Sequence, residues 1–361
     1  MKSHILTAAI AAAAIAPVSA RATDLTFASS LPQVHFWVGG FMDPFADVME
    51  DSADVTFTRF YAGEITSVGR ELDALTGGVV DAVAPLLAPY HEGAFPLTDV
   101  TQLPTIGTSS VEQTEAFLDL MASDVELADG KTFYEYEIGS KDIHAWPVAA
   151  TAAYSISLAG MEPASADALS GIPLRSGSAL HTVFLEELGV TPVTMSAAAS
   201  YEALARGTIK GTILSVGDWK SYSLQDVLSY TITGVAVGHW GSYLAISDAA
   251  WSDLSDAERE TWTETAHEIA RQNAEGIDRQ EGEVRQASEA DGGVFVDVAD
   301  IPADLRSRIE QASVNTWTRW IEETESAGHP GLETARLWAE LTRKHGGALP
   351  EGVEAYLQSR D

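Results

Sequence analysis

Apolar positions along the chain follow two periods. Asp24-Leu-Thr-Phe-Ala-Ser-Ser30 alternates apolar and polar residues as a half-buried strand does, whereas Phe36 to Asp51 sets Phe41, Phe45, Val48 and Met49 at helical spacing. Val55 to Tyr61 is rich in β-branched and aromatic residues and predicts a second strand. Arg70 to Thr76 predicts a short helix stopped by Gly77 and Gly78, and Val79 to Val83 a third strand. The succession then returns. Ile172 to Arg175 reads as a strand and Thr182 to Leu188 as a helix closed by Gly189. Val193 to Met195 is a strand, Tyr201 to Arg206 a helix opened by Ser200 and stopped by Gly207, and Thr208 to Leu214 a strand again. Strands alternating with helices predict an α/β class with mainly parallel sheets flanked by helices.

Two of these segments match each other. Ala74-Leu-Thr-Gly-Gly78 and Ala203-Leu-Ala-Arg-Gly207 share Ala-Leu-x-x-Gly and are followed by a β-branched pair. Each predicts a helix that turns through a left-handed residue, which glycine supplies at least cost, straight into a strand. The repetition points to two similar lobes with a cleft between them. Further on, Thr231 to Ser247 is β-prone and broken at Gly238-His-Trp-Gly241. Ser255-Asp-Ala-Glu258 is a capping box opening a helix that runs to Glu275 and, past Gly276, to Ser288. Pro302 to Ser326 and Leu332 to Lys344 are amphipathic helices whose Trp317, Trp320 and Trp338 read as core.

The N-terminus changes the setting. One lysine precedes an alanine-rich apolar run from Ile5 to Pro17, and small-x-small sites follow at Val18-Ser-Ala20 and Ala20-Arg-Ala22. This is the layout of a secretory signal peptide over residues 1–22, too short for a bilayer span of roughly 20 residues. The mature chain is expected to be exported and not itself membrane-spanning. It has no cysteine, so no disulfide braces it, and at 361 residues it is long enough to bury a substantial core without one. The formal charge is −32, from 53 acidic against 21 basic residues, which excludes nucleic acid and anionic lipid as partners.

Catalytic signatures are missing. There is no G-x-S-x-G elbow, no phosphate loop and no dinucleotide-binding G-x-G-x-x-G, so no cofactor is expected. His267-Glu268 begins like a zincin helix, but Arg271 stands where the second histidine belongs, and the nine histidines show no metal-ligand spacing. What remains suits binding. Arg175 closes its strand, and the carboxyl ends of strands face the ligand crevice of an α/β sheet. A guanidinium there can hold a carboxylate in bidentate fashion. Phe36, Trp37, Tyr90, Trp219 and Trp240 fall at predicted loop or strand edges, where rings form ligand walls or a cation box, and Ser215 follows the last strand of the second lobe. The alternatives are a secreted α/β hydrolase or lyase, with an acid–base pair such as Asp218 and His239, and a stand-alone ligand sensor.

The order of segments resembles the DctP-type solute-binding proteins of TRAP (tripartite ATP-independent periplasmic) transporters. The resemblance rests on Glu71-Leu-Asp-Ala-Leu-x-x-Gly-x-Val-Asp81, Tyr90, Phe95-Pro-Leu-x-x-Val-x-x-Leu-Pro104, Leu169-Ser-Gly-Ile-Pro-Leu-Arg175, Leu188-Gly-Val-x-Pro-Val-x-Met195, Tyr201-Glu-Ala-Leu-x-x-Gly207 and Trp251-x-x-Leu-Ser255. It implies a periplasmic protein of two-lobed, periplasmic-binding-protein-like fold, each lobe a mainly parallel sheet, with a long helix bridging both lobes. It also implies closure on a ligand and delivery to TRAP membrane permease subunits. The expected organisation is one lobe over 23–145 with a return near 236–260, and a second over 146–235 with a return near 285–325. A bridging helix over 255–288 and a C-terminal helical extension over 326–361 complete it. The family's ligand-clamping arginine maps onto Arg175. Departures are equally specific: Ala197 stands where an aromatic is common, and Thr151 to Ser157 lacks the family's second cleft arginine. A single arginine among aromatic rings suits a small monocarboxylate or a betaine-like zwitterion.

Overall fold

The computed structural model describes residues 22–91, 93–127 and 130–360; the signal segment expected over residues 1–22 lies, apart from Ala22, outside them. Two mixed sheets carry the chain. The first runs β2 (Val55–Phe60), β1 (Thr23–Ala28), β3 (Ala82–Leu86), β10 (Tyr243–Ser247), β4 (Ile143–Pro147). The second runs β11 (Val294–Asp297), β9 (Tyr230–Thr233), β5 (Ser155–Leu158), β8 (Gly211–Leu214), β6 (Pro173–Ser176), β7 (Thr191–Thr194). The β1–β2, β1–β3, β6–β7, β6–β8 and β9–β11 pairs are parallel. The antiparallel pairs are made by β10 and β5, strands that arrive by crossing from the other sheet.

The matched segments adopt one backbone. Helix α2 (Glu71–Thr76) turns at Gly78 with φ +68°, and α6 (Ser200–Ala205) at Gly207 with φ +70°. In the first, the amides of Val79 and Val80 both reach Ala74 O; in the second, those of Thr208 and Ile209 both reach Ala203 O. Those amides are spent on the turn, so β3 and β8 each start about three residues later than the apolar pattern predicts.

The stretch after β1 is not one regular helix. A wide turn at Val38–Met42 precedes α1 (Asp43–Ser52). Here Gly40 admits the long helix, since a Cβ at Gly40 would lie 2.4 Å from Asn273 Nδ2.

That long helix, α9 (Asp256–Ala290), spans 35 residues without a break at Gly276 or Gly282, roughly 50 Å at 1.5 Å per residue. Its capping box is formed by Ser255 and Glu258 as the spacing predicts. Trp262, Ile269, Ile277 and Val284 are buried on one face, each contributing about 1.5–3 kcal/mol of apolar burial. Polar side chains tie it to both sheets. Asn273 Nδ2 donates to Phe36 O at 3.0 Å, and Asp278 accepts from the amides of Ser110 and Val111 that open α3 (Ser110–Met121). One turn on, Glu281 accepts from Gly217 N and Gln280 donates to Gly217 O, both beyond β8. Helix α10 (Ala303–Ser326) likewise touches both sides. Ala166 N donates to its Asp304, near the second sheet, and Trp317 Nε1 donates to Pro104 O. Trp317, Trp320 and Trp338 are all core, as their spacing predicts. No described helix is long and apolar enough to cross a membrane.

Candidate binding cleft

The carboxyl ends of four strands open onto one cavity of about 150 Å³. From the first sheet come Ser30, His35 and Trp37 after β1, and Leu87 and Tyr90 after β3. From the second come Arg175 at the end of β6, and Leu214, Asp218 and Tyr222 at and after β8. Tyr154 and Trp240, on the crossing segments, complete the wall.

Arg175 is 2 % exposed and, among the described residues, the one buried Lys or Arg. Backbone carbonyls hold it: Nε donates to Met195 O and Nη1 to Ile213 O, both at 3.1 Å. A Cβ at Gly177 would lie 2.7 Å from Nη2, so the glycine two residues on is what leaves room for the guanidinium. The salt bridges of the described residues include none to Arg175, so no carboxylate comes within 4.0 Å of it. A buried charge without a counterion costs several kcal/mol, and carbonyl contacts offset only part of that cost.

Asp218 is the second charge in the wall and is 3 % exposed. Ser215 Oγ donates to its Oδ2 at 3.1 Å. Its Oδ1 lies 3.3 Å from His35 Nε2, too poorly aligned for a hydrogen bond, and has no hydrogen-bond partner. His35 Nδ1 accepts from Trp37 N, so a neutral His35 carries its proton on Nε2, facing Asp218. Burial raises the pKa of the Tyr90, Tyr154 and Tyr222 phenols, opposed in each by the positive Arg175, so all three stay protonated donors at neutral pH. Behind Tyr154, the His181 ring lies 5.1 Å away, tilted by 36°; burial first and Arg175 second lower its pKa to about 3, opposed by the Val237 backbone.

The residues expected from sequence divide into two groups. Arg175, Trp37, Tyr90 and Trp240 line the cavity together. Trp37 Nε1 donates to Ala149 O at 2.7 Å, which fixes its ring, and Tyr90 lies 5.3 Å from Trp240. The other three sit elsewhere. Trp219 is 1 % exposed and packs on Phe295 at 6.0 Å, while Tyr222, one turn further in the same short helix (α7, Trp219–Tyr222), faces the cavity. Phe36 is buried beneath His35 and Trp37 rather than lining the cleft. Ser215 supports Asp218 without lining the cavity. Sequence reasoning missed His35, Tyr154 and Tyr222 as wall residues. Tyr154 occupies the Thr151–Ser157 stretch in which no arginine stands, and Ala197 lines the cavity where an aromatic is common.

The acid–base pair Asp218 and His239 is not assembled. His239 bonds Thr108 Oγ1 and Thr151 O through its two ring nitrogens at 2.7 Å each and lies outside the cavity wall. Burial lowers its pKa to about 4. Among the described residues no group of three or more His, Asp or Glu could hold a metal ion.

Fold and cleft together define a ligand-binding protein of two lobes. The chain belongs to the DctP family, bacterial extracellular solute-binding protein family 7, whose sequence model matches residues 27–323. Solved structures of similar fold are TRAP solute-binding proteins. One from a marine metagenome, specific for aromatic acid ligands and holding 3-hydroxybenzoate, has a TM-score of 0.79 at 20 % identity, covering 91 % of this chain and all of its own. One from Desulfovibrio salexigens has a TM-score of 0.75 at 21 % identity, covering 90 % and 97 %. A third, from Roseobacter denitrificans with bound β-D-glucuronate, has a TM-score of 0.70 at 18 % identity, covering 89 % and 99 %.

Proposed function

We propose that this protein captures a small organic acid in the periplasm and delivers it to the membrane permease subunits of a TRAP transporter. The observation that carries the reading is Arg175: a buried guanidinium, fixed by two carbonyls and free of protein carboxylates, facing an aromatic-walled cavity. The ligand carboxylate supplies the missing counterion, and desolvation makes the bidentate pair strong. The protonated Tyr90 phenol faces the guanidinium and adds a donor to the same anion. Family membership and the named ligands of the similar structures, all acids, support this reading.

The lobes correspond to residues 23–145 and 146–235 with their later returns, and the ligand is gripped as they close about α9. Binding rather than turnover is the activity proposed: the Asp218 and His239 pair that a hydrolase or lyase reading named is not brought together, His239 being engaged by Thr108 and Thr151. The test is a thermal-shift screen of carboxylates, followed by recovery of the bound compound. A ligand at 100 times its Kd stabilises by about 2.7 kcal/mol. Intact ligand should be recovered in full. Conversion of the ligand would favour the hydrolase or lyase reading, and a screen in which no acid shifts the protein would overturn the carboxylate assignment.

A further inference from the structure

The cavity holds a second unsatisfied charge, and the ligand class follows from it. Asp218 lines the same wall as Arg175, yet the two side chains do not neutralise each other, since no carboxylate lies within 4.0 Å of Arg175 among the described residues. Every polar contact of the Asp218 side chain is accounted for. Oδ2 accepts from Ser215 Oγ, and Oδ1 has only the misaligned His35 Nε2 at 3.3 Å. The carboxylate does not cap the short helix it precedes either. A buried carboxylate oxygen with no donor costs free energy that a structural role would not require. The same cavity wall carries the rings of Trp37, Tyr222, Tyr154 and Trp240, and aromatic faces accept a cation as readily as an apolar group.

Resting on the Arg175 reading, we propose that the Asp218 carboxylate, flanked by Ser215 and His35, is a second subsite that receives an N–H-bearing cation, so that the ligand is a zwitterionic amino acid rather than a simple acid. Arg175 takes its carboxylate and Asp218 Oδ1 accepts from its protonated amine. A quaternary ammonium group satisfies the charge but gives Oδ1 no hydrogen, so the site prefers a protonated amine to a betaine.

The experiment is calorimetric titration of the mature protein with matched series that differ at one atom. Phenylacetate, mandelate and phenylglycine form one series; isovalerate, 2-hydroxyisovalerate and valine form a second; glycine betaine and glycine are compared alongside. Within a series that binds, the amino member should bind at least tenfold tighter than the unsubstituted acid, with the hydroxy acid between. Asp218→Asn should remove most of that advantage, with an unchanged thermal melt of the unliganded protein showing that the variant is folded. Arg175→Met should weaken every member. If acids bind and Arg175→Met abolishes them, but the amino member is not preferred or Asp218→Asn leaves its advantage intact, the zwitterion proposal falls and the acid reading stands. If no member binds, or Arg175→Met has no effect, both fall.

Discussion

The two sheets present the same backbone to the cleft and opposite chemistry. Gly78 and Gly207 close equivalent turns, and β3 and β8 start at equivalent positions beyond them. Past β3 the chain delivers Leu87 and Tyr90; past β8 it delivers Leu214, Asp218 and Tyr222. The neighbouring strands differ in the same sense, with β1 leading to Trp37 and His35 and β6 ending in Arg175. Both fixed charges of the cleft, Arg175 and Asp218, therefore sit on the second lobe, and the first lobe supplies rings and the His35 imidazole. On the proposed reading, a ligand's charge would be met on one side and its shape on the other.

This asymmetry can be broken from either side. Arg175→Met on the second lobe should have the largest effect, a loss of about 2–5 kcal/mol in acid binding by calorimetry with the thermal melt of the unliganded protein preserved. Gly177→Ala tests the space that admits the guanidinium. Its Cβ would meet Nη2 at 2.7 Å, so affinity should fall by about 1–3 kcal/mol although no ligand contact is removed. On the first lobe, Tyr90→Phe should cost about 0.5–1.5 kcal/mol, the worth of one hydrogen bond. An effect as large as that of Arg175→Met would contradict the division of labour.

The smallest effect concerns the tie between the lobes. Burial raises the Glu281 carboxyl from an ordinary 4.5 to about 7, opposed by the Gly217 and Val216 amides, and raises the Glu137 carboxyl to about 7 by the same cause. A carboxyl raised on folding contributes stability below its unfolded pKa and loses it as pH climbs through the folded value. Both contributions therefore fade between pH 5 and pH 8; the lowered pKa values of buried His181 and His239 act in the opposite sense up to about pH 6.5, so the melting temperature should fall most clearly from about pH 6.5 to pH 8. Glu281→Gln keeps the acceptor for Gly217 N and should flatten part of that slope; an unchanged slope would place the pH dependence elsewhere.

Long, periodic elements were legible in the sequence. The capping box at Ser255 and a run without proline gave α9, and the paired glycines gave two lobes. Arg175 was legible because it ends a strand, where strand direction alone decides that it faces the crevice. The rest of the wall lies on short turns, where no period exists to say which residue points inward. In the single turn of α7, Trp219 and Tyr222 could each have been the wall residue, and packing of Trp219 on Phe295 decided it. His35 and Phe36 are adjacent and exchange roles for the same reason. Tyr154 was hidden because its stretch is defined by what it lacks, and the Asp218–His35 contact joins residues 183 positions apart that only the closed chain brings together.

The central claim is that a ligand carboxylate completes Arg175. Its most direct measurement is the calorimetric affinity of one acid found in the screen against that of its primary amide, on the unmodified protein. The amide keeps the ligand's shape and loses the charge. A drop of at least a hundredfold is the predicted result, and amide binding within threefold of the acid would contradict the claim.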